Sequence, residues 1–256
     1  MNGSMNGKVA VITGASRGLG RNAALKLAEQ GAGVIGTYHS NAAAAQSLVD
    51  EIAKAGGRAA MLELDVARCE RFAAFADTLC KTLEDTFGRE NFDFLVNNAG
   101  IGIHAPFLDT TPAQFDELVN IQLKGPFFLT QTLLPYIHEE GAIINVSSGL
   151  TRFALPGYAA YAVMKGGIEV LTRYLAKELG AHGITVNTIA PGAIETDFGG
   201  GVVRDDHEVN AFIAQNTSLG RVGVPDDIGG AIAAMLCEGN RWMTAQRVEV
   251  SGGMFI

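Results

Sequence analysis

Short, mostly apolar runs alternate with longer stretches of helical period along nearly the whole chain, and this alternation limits the fold more than any other feature. Lys8-Val-Ala-Val-Ile12, Gly33-Val-Ile-Gly-Thr37, a run within Arg58 to Val66, Phe92-Asp-Phe-Leu-Val96, Gly141 to Val146, Ile184 to Ile189 and Gln246 to Val250 read as strands. Between them fall helical stretches: one ending near Gln30, then about Asn41 to Ala55, Arg68 to Phe87, Thr111 to about His138, Gly157 to Ala181 and Pro225 to Cys237. Thr111 and Pro112 supply a cap and a first-turn proline, and Gly125-Pro126 predicts a kink. Strands apolar on both faces are buried on both faces, which needs a parallel sheet covered by helices. Right-handed crossovers complete the expectation: an α/β fold, a doubly wound seven-stranded parallel sheet of Rossmann type with helices on both faces.

The 256 residues, 48% hydrophobic and 18% charged, suit one large core and a single domain over 1–256. Thr196 to Val224 is rich in glycine and charge, and its length predicts a functional lid or disorder; the expectation is a substrate lid within about 196–224. A formal charge of -8 argues against a nucleic-acid partner. No apolar run reaches the roughly 20 residues of a membrane span. The polar segment Met1 to Gly7 lacks the apolar core of a secretory signal. Cys69, Cys80 and Cys237 are odd in number and lack metal-type spacing, which predicts reduced thiols in a cytoplasmic protein. The five scattered histidines give no metal site.

Thr13-Gly-Ala-Ser-Arg-Gly-Leu-Gly20 joins the first strand to the first helix. Glycines at 14, 18 and 20 allow a tight turn and close approach to a ligand, and the helix start offers free N–H groups and partial positive charge to a pyrophosphate. Gly14, Ser16, Arg17, Gly18, Leu19 and Gly20 are therefore candidate cofactor residues. An NAD site usually places Asp or Glu near the end of the second strand. Here Thr37-Tyr-His-Ser-Asn41 holds no acid, while Arg17, His39, Ser40 and Asn41 offer donors to a 2′-phosphate. NADP(H) is expected over NAD(H).

Tyr161 and Lys165 lie four residues apart in a helical stretch, on one face. An ammonium beside a phenol favours the phenolate and draws its pKa toward a working range. By itself the pair also fits an ordinary surface contact. With the glycine turn, Asn97-Asn-Ala-Gly100 after the fourth strand, Ser148, Tyr161 and Lys165 in this order, the chain resembles the short-chain dehydrogenase/reductase family from about Lys8 to Gly253. Asp65-Val66, Asn120, Pro191-Gly192 with Thr196 beyond, and Ser251-Gly252-Gly253 extend the likeness, although the family commonly has an acid where Ser251 stands.

The resemblance implies a catalytic set of Asn120, Ser148, Tyr161 and Lys165. Tyr161 would exchange the proton, Ser148 would steady the substrate oxygen, Lys165 would lower the tyrosine pKa and bind ribose, and Asn120 would order a water. It also implies that Asp65 and Val66 flank the adenine. Asn98, Ala99 and Gly100 take the adenosine side, and Pro191, Gly192, Ile194 and Thr196 surround the nicotinamide. The expected activity is NADP(H)-dependent interconversion of a carbonyl and a secondary alcohol. A 3-oxoacyl thioester reductase and a non-catalytic NADP(H)-binding regulator are the alternatives; a related methyltransferase would leave Ser148, Tyr161 and Lys165 unexplained. Leu150, Phe153, Leu155, Ile103 and Phe198 are expected around a small-molecule substrate, with Arg152, His104 and Tyr158 as polar candidates. The family likeness implies a homotetramer or homodimer through the helices about Thr111–His138 and Gly157–Ala181, to which the apolar Met254-Phe-Ile256 could add a contact.

Overall fold

Seven strands and nine α-helices follow in chain order in a computed structural model, which describes residues 5–256. They are β1 Val9–Ile12, α1 Gly18–Glu29, β2 Gly33–Tyr38, α2 Ala42–Lys54, β3 Ala59–Glu63, α3 Phe72–Thr82, β4 Phe92–Asn97, α4 Pro112–Val119, α5 Gly125–Leu133, β5 Ile137–Val146, α6 Ala159–Leu179, β6 Thr185–Pro191, α7 Val202–Asp205, α8 His207–Gln215, α9 Pro225–Met235 and β7 Arg247–Val250. The polar reading of the segment before Met5 lies outside the described residues.

All the strand pairings are parallel, in the order β3-β2-β1-β4-β5-β6-β7. Chain order reverses between β1 and β4, and at such a switch point the loops leaving the strands splay apart and open a crevice. The side-chain period of two divides the core. Val9 and Val11 join Ile35, Leu95, Ile143 and Val186 under α3, α5 and α6. Ala10 and Ile12 join Val34, Val96, Ile144 and Ile189 under α1 and α9. Each fully buried Val, Leu or Ile contributes about 1.5–3 kcal/mol, so these two layers hold the sheet that positions the site.

Two segments differ from the sequence reading. The helical stretch from Thr111 does not reach His138. Thr111 caps α4 in a reciprocal box with Gln114, the chain widens into a π turn over Asn120–Lys124 ahead of Gly125-Pro126, and α5 ends before Pro135. Pro126 has no N–H to continue a regular ladder, and the π turn absorbs that defect. β5 then begins at Ile137, opposite Phe92, rather than at Gly141.

Thr196 to Val224 is folded rather than irregular. Three successive left-handed glycines, Gly199 to Gly201, turn the chain into α7 and α8. Asp206 Oδ1 caps α8 by accepting from Glu208 N at 2.9 Å and Val209 N at 3.1 Å. Ile213 and Val222 pack with Met254 of the chain's own C-terminal tail, which is 2% exposed. Of Met254-Phe-Ile256, only Ile256 is exposed, at 91%.

Candidate active site

β1 runs into Thr13, whose Oγ1 accepts from the backbone N–H groups of Asn98 and Ala99 at 2.9 Å each. The ends of β1 and β4 are thereby locked together at the switch point. Gly14 has φ +66, and a Cβ there would lie 3.0 Å from Ala99 Cα. At Gly20 a Cβ would come within 2.4 Å of Gly14 O and 2.5 Å of Asn98 Nδ2. Glycine is required at both positions by φ or by close packing. Gly20 lies beneath the cleft wall, so it shapes the turn rather than lining it. The Asn98 amide likewise donates to the Thr13 and Gly14 carbonyls, at 2.8 and 3.2 Å.

The cleft at the switch point encloses about 780 Å³. One end is walled by Gly14, Ser16, Arg17, Gly18 and Leu19. α1 starts at Gly18 with Arg17 as N-cap and no capping side chain, so its first N–H groups and positive pole are open to a ligand. Asp65, Val66, Asn98, Ala99 and Gly100 form the floor on one side, and Pro191, Gly192, Ile194 and Thr196 line the opposite reach. His39 and Ser40 stand at the rim with Asn41. Asn41 Oδ1 accepts from Ala44 N at 2.9 Å and caps α2. His39 Nε2 is 3.7 Å from Asp65 Oδ2, whereas Arg17 has no side-chain partner among the described residues.

α6 carries Tyr161 and Lys165 one turn apart into the middle of the cleft. Lys165 Nζ lies 5.6 Å from the Tyr161 ring centre and donates to Val146 O at 2.8 Å. Burial pushes the Tyr161 phenol well above its ordinary range; a hydrogen bond with Ser148 pulls it partway back and Tyr158 pushes it up again. Burial also drives Lys165 down, to about 7. The sequence reading had the lysine lowering the phenol's pKa. In the folded chain burial is the largest influence on both groups, and it disfavours the charged form of each. Asn120 opens the π turn that packs against α6, but it does not line the cleft, and among the described residues its side chain has no hydrogen-bond partner.

Beyond Tyr161 the cleft becomes apolar. Leu150, Phe153, Leu155, Tyr158 and Phe198 line it, with Tyr158 and Phe198 meeting the Tyr161 ring edge-on at 6.5 and 5.8 Å. Three expected neighbours are elsewhere. Ile103 packs behind Tyr161, and His104 meets the Tyr158 ring edge-on at 5.0 Å without reaching the wall. Arg152 is engaged by Glu249 at 2.6 and 2.7 Å and by the carbonyls of Met254 and Phe255. Val203, Ile213 and Met254 complete the lobe and were missed in the sequence. Asp206, a cap ahead of the Val209-Ile213 spacing, was the available signal for the helix that brings Ile213 there.

These residues fit a dinucleotide that carries phosphate. The glycine turn leaves room at an open helix N-terminus, Arg17 is a free cation at the rim, and Lys165 uses only one of its three N–H donors within the chain.

A family model described as enoyl-(acyl carrier protein) reductase matches residues 14–255. The hydroxynaphthalene reductase-like protein Arp2 of Metarhizium robertsii is 33% identical, covering 98% of this chain and 96% of its own length. The crystal structure of the angucycline C-6 ketoreductase LanV with bound NADP superposes with a TM-score of 0.94 at 35% identity, over 99% of this chain and 97% of that one. LugOII, a promiscuous reductase that catalyses keto-reduction at C1 during lugdunomycin biosynthesis, also reaches 0.94, at 36% identity over 99% and 100%.

Proposed function

The chain belongs to the short-chain dehydrogenase/reductase family of NAD(P)-dependent oxidoreductases, and on that premise we propose that it is an NADP(H)-dependent ketoreductase with Tyr161 as its acid. The observation that carries this reading is the placement of Ser148, a buried Tyr161 and Lys165 on one stretch of cleft wall, at the junction of the phosphate-binding end and the apolar lobe. Bound NADPH supplies hydride from its nicotinamide. Arg17, Ser40 and His39 hold its 2′-phosphate end, and the α1 N-terminus holds the pyrophosphate. Ser148 donates to the substrate oxygen as negative charge grows there, and Tyr161 delivers the proton, a role worth about 10²–10⁴-fold in rate. Lys165 binds ribose and restores the proton, with Asn120 behind α6 ordering the water that reaches it. Phe198 and the helices that follow close over the substrate as a lid within about 196–224.

The lobe favours a flat aromatic ketone. Its walls are mostly rings and aliphatic chains, and the cations beside it, Arg152 and Arg204, are already paired with Glu249 and Asp197. Relatives that act on hydroxynaphthalene-type and angucycline compounds support the same choice. A thioester substrate, the alternative suggested by the family model's description, gains no free cation here for its phosphates. A panel of fused-ring ketones, acyclic ketones and 3-oxoacyl thioesters, followed by NADPH and NADH absorbance, tests the proposal. Fused-ring ketones with NADPH should give the highest kcat/KM; turnover confined to thioesters, or faster with NADH, contradicts it.

Exposed Phe115, Phe127 and Phe128 near α4 and α5, with Val163, Val170 and Tyr174 on α6, support a homodimer or homotetramer assembled through these helices. Light scattering would show a concentration-independent monomer if this is wrong. Three unpaired cysteines fit a cytoplasmic setting. No described helix is long and apolar enough to cross a membrane.

A further inference from the structure

We propose that Arg247 and Glu169 are positioning residues for Ser148, together fixing the turn that presents its hydroxyl to the substrate. The inference rests on the role given to Ser148 above. Ser148 is an extended residue (φ -159, ψ 151) at the end of β5, followed by a single 3₁₀ turn over Gly149–Thr151. Such a short turn has little regular structure to hold it. Its own internal bonds are Leu150 N donating to Ser148 Oγ at 3.2 Å, Thr151 Oγ1 donating to the Ser148 carbonyl at 2.9 Å, and the N–H groups of Thr151 and Arg152 donating to the carbonyls of Ser148 and Gly149.

Two charged side chains from other elements grip the turn on both sides of Ser148. Glu169, one helical turn beyond Lys165 on α6, accepts through Oε1 from Ser147 Oγ at 2.7 Å. The same oxygen is 2.7 Å from Thr151 Oγ1 and accepts from Arg247 Nε at 2.8 Å. Arg247 on β7 donates from Nη2 to the Ser148 carbonyl at 3.2 Å and to Thr151 Oγ1 at 3.0 Å. Residues 147, 148 and 151 are thus each tied to the Arg247–Glu169 pair, and the Ser148 backbone cannot shift without breaking charge-assisted bonds.

The pair is itself held. Arg247 Nη1 donates to Glu249 Oε2 at 2.9 Å, and Glu249 accepts from Ser251 Oγ at 2.7 Å and from Arg152. Residues 247, 249 and 251 are spaced by two, so β7 and its extension present them on one face. Ser251 stands where the resembling family commonly has an acid. In this chain the acid is Glu249, two residues earlier on the same face, which places it against Arg247. Lys could keep the ion pair but not the fork that reaches four acceptors at once.

The test is a double-mutant cycle with Ser148. Arg247→Gln and Glu169→Gln should each lower kcat about tenfold while leaving the KM for NADPH within about twofold, and Arg247→Lys should recover part of the loss. In a Ser148→Ala background, Arg247→Gln should cost less than about twofold. An equal loss in both backgrounds overturns the proposal, because Arg247 would then act on the protein generally. Backbone amide exchange supplies a second readout that needs no turnover. In Arg247→Gln the amides of Leu150, Thr151 and Arg152 should exchange at least about tenfold faster while those of β6 stay protected; unchanged protection of the turn overturns the proposal. Glu169→Gln, which leaves the turn's own bonds in place, provides the same comparisons if Arg247→Gln does not fold. Absence of ketone reduction by the wild type would count against the proposed function, and the exchange arm would still decide this one.

Discussion

Lys165 Nζ donates to the Val146 carbonyl at 2.8 Å and stands 5.6 Å from the centre of the Tyr161 ring, so both titrating groups occupy the same buried spot. Burial drives the two pKa values apart from their ordinary order, the phenol upward and the amine down to about 7. The resting pair is a proton-bearing phenol beside an amine that gives up charge easily.

This burden predicts a pH-dependent stability. Below about pH 7 the folded chain must hold a buried ammonium that the unfolded chain leaves in water. Between about 7 and the ordinary lysine value of 10.5 the unfolded state binds more protons, so stability rises with pH across that window. Lys165→Met removes the penalty. Its stability relative to wild type, from denaturant melts, should be greater at about pH 6 than at about pH 10 by roughly 2–5 kcal/mol. Equal differences at both pH values would contradict the burial argument.

Tyr161→Phe deletes the proton donor and keeps the ring that Tyr158 and Phe198 pack against. Turnover should fall by about 10²–10⁴-fold with little change in thermal stability. The dissociation constant for NADPH, measured by fluorescence, should stay within about threefold of wild type, since a role in transition-state chemistry alone leaves ground-state binding intact.

Arg17 is a free cation at the rim where the strand-end segment 37–41 offers no acid. Arg17→Ala should weaken NADPH binding by about tenfold or more, the worth of one charge-assisted hydrogen bond, and leave NADH binding nearly unchanged. Titration with both cofactors checks this; equal losses would place Arg17 away from the 2′-phosphate.

Phe198 is 42% exposed, covers the edge of Tyr161, and precedes three left-handed glycines. Phe198→Ala should raise the KM for a fused-ring ketone by about three- to tenfold and leave the KM for NADPH alone. A change confined to the cofactor would assign the segment a different role.

Sequence patterning reached the sheet because apolar runs as uniform as Val9 to Ile12 have few other burial solutions. The glycine turn and the Ser148, Tyr161 and Lys165 spacing were legible because chemistry fixes both residue type and interval. Direction was not. His104 and Arg152 have the composition of substrate contacts, yet one meets Tyr158 edge-on and the other fastens the C-terminal tail. The tail's apolar residues suggested an intersubunit contact; Met254 lines the chain's own pocket while Ile256 stays exposed. The Arg247–Glu169 grip joins residues 78 positions apart, and no local pattern announces it.

Label transfer tests the central claim most directly. The wild-type protein is incubated with a fused-ring aromatic ketone and NADPH deuterated at the transferring carbon of the nicotinamide, and the product is read by mass spectrometry and NMR. Deuterium on the carbinol carbon, with the signal reduced to background in Tyr161→Phe, is the predicted result. No alcohol from any ketone, or undiminished labelling by the tyrosine variant, would contradict it.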